Sequence, residues 1–147
     1  MQIKSLFILL LVFISIRATC QKDINLETLF NRDISDEERA KINDKIHDFS
    51  QAINSEPDNP INYYNRGVMY SRLGLHPDAI TDYNKAIQLK SDFPQAYYNR
   101  GLSRARFGYT KTACADIKKS AELGFSTATE KYKEKCGLYT EELGELP

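Results

Sequence analysis

The chain has 147 residues, of which 41% are hydrophobic and 27% charged, with 20 basic and 20 acidic side chains. That length leaves room for one domain, the composition is that of a soluble globular protein, and zero net charge argues against a nucleic-acid partner. Tryptophan is absent, while nine tyrosines supply contact area with a polar tip, suited to helix packing and to binding surfaces.

Residues 1–20 have the three-part layout of an export signal. Lys4 gives a basic start, Leu6 to Ile14 is an unbroken apolar run, and Ala18-Thr19-Cys20 supplies small residues. The run falls short of the roughly 20 residues that span a bilayer. Cys20 has two readings: the last residue of a removed signal, or the acylated first residue of a lipoprotein. Arg17 and Thr19 depart from the lipoprotein pattern, so plain secretion, to the periplasm or the outside, is the expectation. A membrane would be involved only if Cys20 is acylated. Removing residues 1–20 leaves 18 basic and 20 acidic side chains, too mild a balance to define a partner.

Residues 21–34 carry no clear helical face and read as an N-terminal tail. Ser35-Asp36-Glu37-Glu38 is a capping box and opens a helix over 35–55. Further helices are predicted over 60–73, 77–90, 94–107, 111–123 and 126–136. Pro60, Pro77 and Pro94 each suit a first helical turn, where the missing N–H is not needed. Gly74 and Gly108 fall at the turns within each hairpin, and Gly124 and Gly137 suit left-handed helix ends. In the last helix Tyr132 and Cys136 lie four apart among polar residues, the pattern of an amphipathic cap. Residues 138–147 read as a loose acidic tail.

The decisive feature is an internal repeat. At a shift of 34, residues 60–93 and 94–127 match without gaps at 12 of 34 positions. Tyr63-Tyr64-Asn65-Arg66-Gly67 meets Tyr97-Tyr98-Asn99-Arg100-Gly101. Pro60, Arg72, Gly74, Ala79, Asp82, Lys85 and Leu89 meet Pro94, Arg106, Gly108, Ala113, Asp116, Lys119 and Leu123.

A helix pair repeating every 34 residues or so is the tetratricopeptide length, and the chain resembles that family residue by residue. Tyr63 and Tyr97 stand in the aromatic slot opening the first helix, Gly67 and Gly101 in its small-residue slot. Ala79 and Ala113 stand in the alanine slot of the second helix, followed by Tyr83 and Ala86. Arg66 and Arg100 replace the usual leucine, Arg104, Ile117 and Ser120 make the second unit less regular, and Ser91 and Phe125 stand where the closing proline belongs. Ile46, Asp48, Phe49, Ala52 and Ile53 precede Ile80, Asp82, Tyr83, Ala86 and Ile87 by the same shift, and Pro57 takes the closing-proline slot. The resemblance implies an all-α helix-turn-helix solenoid over 35–137: a half repeat at 35–59, full repeats at 60–93 and 94–127, and a cap helix at 126–136.

It also implies a non-enzymatic module that binds a protein or peptide in a concave groove lined by each hairpin's first helix. The family's contact slots fall on Tyr64, Asn65, Val68, Ser71 and Arg72, and on Tyr98, Asn99, Leu102, Ala105 and Arg106. Asparagine can pair with an extended backbone and arginine can grip a carboxylate. The lysines of the chaperone-binding carboxylate clamp are not in place. The alternative is a structural role, in a cell-envelope assembly or through self-association, without a separate ligand.

Cys114 and Cys136 lie eleven residues either side of a turn near Phe125, level on antiparallel helices. A disulfide is expected if the chain is exported; two buried thiols are the other reading. Three scattered cysteines with His47 and His76, both expected to be exposed, do not supply a metal site, and no cofactor is expected. No catalytic motif is present. Arg66 and Arg100 have matching aspartates on the second helices, Asp48, Asp82 and Asp116. Repeated Arg–Asp pairs are one reading, with the pairing left open; exposed arginines lying along the helix surface are the other.

Overall fold

The computed structural model describes residues 34–143 and 146. The leader read at 1–20, with Cys20, and the tail read at 21–34, except Ile34, lie outside them. The described residues form an all-α solenoid: α1 (Asp36–Ser55), α2 (Pro60–Arg72), α3 (His76–Leu89), α4 (Pro94–Arg104), α5 (Lys111–Glu122), α6 (Ser126–Lys135) and a one-turn α7 (Thr140–Leu143). Ala105–Phe107 and Gly137–Tyr139 are short 3-10 turns.

Local chemistry sets these boundaries. Asn59 caps α2, its side chain accepting from the Ile61 N–H at 3.1 Å, and Pro60 is the first residue of α2. Thr110 caps α5 by accepting from the Ala113 N–H. The first turn of α1 holds Asp36, Glu37 and Glu38, which suit the positive end of the helix dipole. The turns closing α2 and α5 are alike. Gly74 and Gly124 take φ of +77° and +88°; the next N–H, of Leu75 or Phe125, returns to the carbonyl of Tyr70 or Ser120. This closure needs a residue without a Cβ penalty at positive φ.

The second unit ends its first helix differently. Helix was expected to Phe107; instead α4 stops at Arg104 and tightens into the 3-10 turn. Gly108 takes φ +128° and ψ 153°, a positive-φ setting that glycine alone adopts readily and that differs from the φ of +77° at Gly74. Gly137 has no positive φ and opens a 3-10 turn, contrary to the helix-end role expected of it.

Each hairpin closes on its small residues. A Cβ on Gly67 would lie 2.8 Å from Tyr83 Cε1, and one on Gly101 2.8 Å from Ile117 Cγ1. Opposite them Ala79, Tyr83, Ala86, Ala113 and Ile117 are fully buried, so the glycines let α2 and α4 come down onto α3 and α5.

At the C-terminal end Cys114, Ile117, Ala128, Tyr132 and Cys136 form one buried cluster. Cys114 and Cys136 are joined by a disulfide with Cα atoms 5.6 Å apart. Residues 138–147, expected as a loose tail, contribute to this cluster: Tyr139, Leu143 and Leu146 pack against it. Tyr139 lies in the 3-10 turn before α7 and Leu143 ends α7; the acidic composition of the segment masks these apolar residues.

Candidate functional site

The expected binding residues fall on the first helices of the hairpins, α2 and α4, which come into direct contact across the stack. The contact is specific: the Asn99 amide donates to the Tyr64 hydroxyl at 3.1 Å. Tyr64 also packs against Phe93, ring centroids 4.8 Å apart, and against Tyr83 at 6.0 Å. Burial pushes the Tyr64 phenol above its ordinary value, and the bond from Asn99 partly offsets this. Tyr64 is therefore as much a mortar residue between repeats as a contact surface.

The same arrangement returns one unit later with different partners. Tyr98 meets the Phe125 ring edge-on at 5.2 Å, as Tyr64 meets Phe93. Ala128 in α6 is as fully buried as Ala96 in α4. Thus α6 stands in the slot of the next repeat's first helix, offset by 32 residues instead of 34. That two-residue slip hides it from a fixed-period comparison. Burial raises the Tyr98 phenol as well, with Lys131 of α6 opposing the shift.

Asn65, Val68, Tyr98, Asn99 and Leu102 are half-buried, available in part on the α2–α4 face. Leu102 and Tyr98 also lean on the C-terminal cluster. The arginines do not make the expected parallel row. Arg72 donates to Glu38 of α1 at 2.9 Å, so its charge is already met. Arg106 stands beyond the end of α4, exposed in the 3-10 turn. A shallow cavity of about 410 Å³ beside Arg72 is lined by Glu38, Lys41, Ile42, Asp44 and Lys45. Within this lining Arg72 pairs with Glu38, and Lys41 pairs with Glu37 beside it.

The arginines of the repeat's leucine slot are the most ordered ionic feature. Arg66 grips Asp82 through two bonds of 2.8 Å and reaches Ser50 Oγ of α1 with its third arm at 3.1 Å. Arg100 grips Asp116 at 2.9 and 2.6 Å and reaches Asn84 Oδ1 of α3 at 2.7 Å. Each arginine takes the aspartate 16 residues later, in its own hairpin, and a polar residue 16 earlier, in the preceding one. The bond to Asp82 holds Arg66 above its ordinary value. Tyr63 and Tyr70 flank Arg66, and Tyr97 flanks Arg100 at 5.3 Å. Asp48, the third aspartate, is exposed. One partner went unread in the sequence: Arg104 also donates to Asp116, at 2.6 Å.

The two histidines stand on different helices, His47 on α1 and His76 on α3. His47 is exposed and bonds to Gln51 on its own helix. His76, expected to be exposed, is half-buried at the start of α3. Among the described residues no group of His, Cys, Asp or Glu could hold a metal ion.

Comparison with known proteins gives one finding. The family model described as a TPR repeat matches residues 72–108, from the end of α2 through α3 and α4. A comparison with the curated proteins returns no match.

Proposed function

We propose, from the premise that this chain is a tetratricopeptide-repeat protein, that it acts without catalysis by holding a peptide or protein along the face of α2, α4 and α6. Repeats of this family generally mediate protein–protein interactions. The observation that carries the reading is the Tyr64–Asn99 bond between successive first helices. It locks two binding helices side by side, so that Asn65, Val68, Asn99 and Leu102 make one surface. With Arg72 committed to Glu38, the surface reads main-chain amides and apolar side chains in preference to a carboxylate. Three first helices give a short groove, and affinity for a lone peptide is correspondingly modest. The export-signal pattern of residues 1–20 supports placing the module in an exported compartment, where its partner would also be found.

A pull-down from the exported fraction, with the folded chain as bait, tests this. Tyr64 is a poor site for the control because its ring is part of the packing. Asn65→Ala with Val68→Glu changes the surface and leaves the Tyr64–Asn99 bond in place. Loss of the captured partners is expected. A folded double variant that retains every partner would show that this face is not the site.

A further inference from the structure

Among the described residues, the two most exposed large apolar side chains lie at one end of the C-terminal hairpin. Phe107 and Leu138 are each 93% exposed. Phe107 sits in the 3-10 turn after α4 and Leu138 in the 3-10 turn after α6. These helices hold equivalent slots and run the same way, so both turns face the same end of the stack. The disulfide holds them there: Cys114 follows Phe107 by one short turn and the cap of α5, and Cys136 precedes Leu138 by two residues.

The exposure of Phe107 is not a property of the repeat. Its counterpart one period earlier, Leu73, is half-buried. Phe107 ends a 3-10 turn, whereas Leu73 caps an α-helix. Single exposed apolar residues are ordinary, but here two stand at one tip, with the half-buried rings of Tyr109 and Tyr139 behind them. Arg106 and Lys133 are exposed around the same turns. The acids nearby are engaged: Asp116 by Arg100 and Arg104, Glu134 by Lys131 and Lys135.

From this placement we infer that the Phe107–Leu138 tip docks on an anionic lipid surface. The two apolar side chains enter the headgroup boundary, the tyrosines sit at its level, and the cations face the lipid charge. α7 adds Glu141 and Glu142 to the sequence just beyond the tip, so the electrostatic part is modest and salt-sensitive. This contact is separate from any lipid on Cys20 and from the groove, which it leaves free to hold a partner.

The chain has no tryptophan, so Phe107→Trp places a single fluorophore at the tip. Mixed with vesicles of phosphatidylglycerol and phosphatidylethanolamine, it should shift to the blue and be quenched by lipids brominated along the acyl chain. Adding Leu138→Ser should weaken partition roughly tenfold. Ile61→Trp, exposed at the opposite end of α2, reports any contact made elsewhere, including one through the apolar N-terminal run, and should stay unshifted. Emission at position 107 unchanged by anionic vesicles would overturn the proposal. So would an equal response to pure phosphatidylcholine, or a shift at position 61 as large as at position 107. A shift in buffer that follows protein concentration alone would assign the tip to a second copy, and would overturn it too.

Discussion

Replacing Asp116 by alanine is expected to be among the most damaging single changes in the chain. Asp116 is 5% exposed and accepts three charged hydrogen bonds, two from Arg100 and one from Arg104. The Arg100 side chain is only 15% exposed, so deleting the carboxylate strands a largely buried guanidinium and leaves a second one unmatched. Breaking a buried pair in this way costs about 3–5 kcal/mol. Asp82→Ala removes two bonds from one arginine whose side chain is 21% exposed, and should fall somewhat below, at roughly 2–4 kcal/mol. Asp48→Ala, at an exposed site in the same repeat slot, should stay within about 0.5 kcal/mol of wild type. Urea unfolding followed by circular dichroism measures all three, and the larger losses should lower the midpoint by about 1–3 M. A double-mutant cycle on Arg100 and Asp116 then isolates the pair, with an expected coupling of about 1–3 kcal/mol. Three equal losses, or additive effects in the cycle, would refute the reasoning that the pair is buried and specific.

Other consequences follow from the same structure. The disulfide closes a separation of 22 residues, so Cys114→Ala with Cys136→Ala should cost roughly 3 kcal/mol on the chain-entropy account. Amide exchange should quicken first in α6; identical melting with and without reductant would count against the staple. Gly101→Ala puts a Cβ 3.0 Å from the Ala113 carbonyl oxygen and 2.8 Å from Ile117. A loss of about 1–3 kcal/mol is expected in thermal or urea unfolding despite alanine's better helix propensity. Gly67→Ala meets side-chain atoms only and should cost less; the reverse order would contradict the packing described. Burial raises the phenols of Tyr64, Tyr83 and Tyr98 above the ordinary value of 10.0. The folded state therefore holds protons that the unfolded chain releases. Their contribution is intact below pH 10 and is lost as pH rises toward the folded values. Spectrophotometric titration should find some of the nine tyrosines ionising only with unfolding. All nine titrating together near pH 10 in a folded chain would refute this.

Much of the architecture was legible because its causes are local. Pro60, Pro94 and Gly74 act within a few residues of the helix ends they mark, and Pro60 recurs as Pro94 and Gly74 as Gly108 at the 34-residue offset. The C-terminal end was less legible because its rules change there. α6 fills a first-helix slot with a 32-residue offset, and three packing residues, Tyr139, Leu143 and Leu146, lie among acids in and around α7. In the candidate site Tyr64 and Asn99 meet through a hydrogen bond between successive repeats that the spacing alone does not give. Arg72 pairs with Glu38, which lies 34 residues before it, and only folding brings the two together.

The sequence by itself determined the period, the helix-turn-helix unit and the close approach of paired helices at Gly67 and Gly101. Each of these is a matter of residue type at a fixed spacing. Only the tertiary structure decided which aspartate each arginine takes. From Arg100 the candidates lie 18 residues before and 16 after, and a repeat of 34 makes the two choices equivalent on paper. Hairpin closure removes the equivalence by folding α5 back onto α4, so that Asp116 arrives at Arg100 while Asp82 is held by Arg66. The exposure of Phe107 was likewise decided in three dimensions: it ends a 3-10 turn and stands 93% exposed, while Leu73, one period earlier, caps an α-helix and is half-buried.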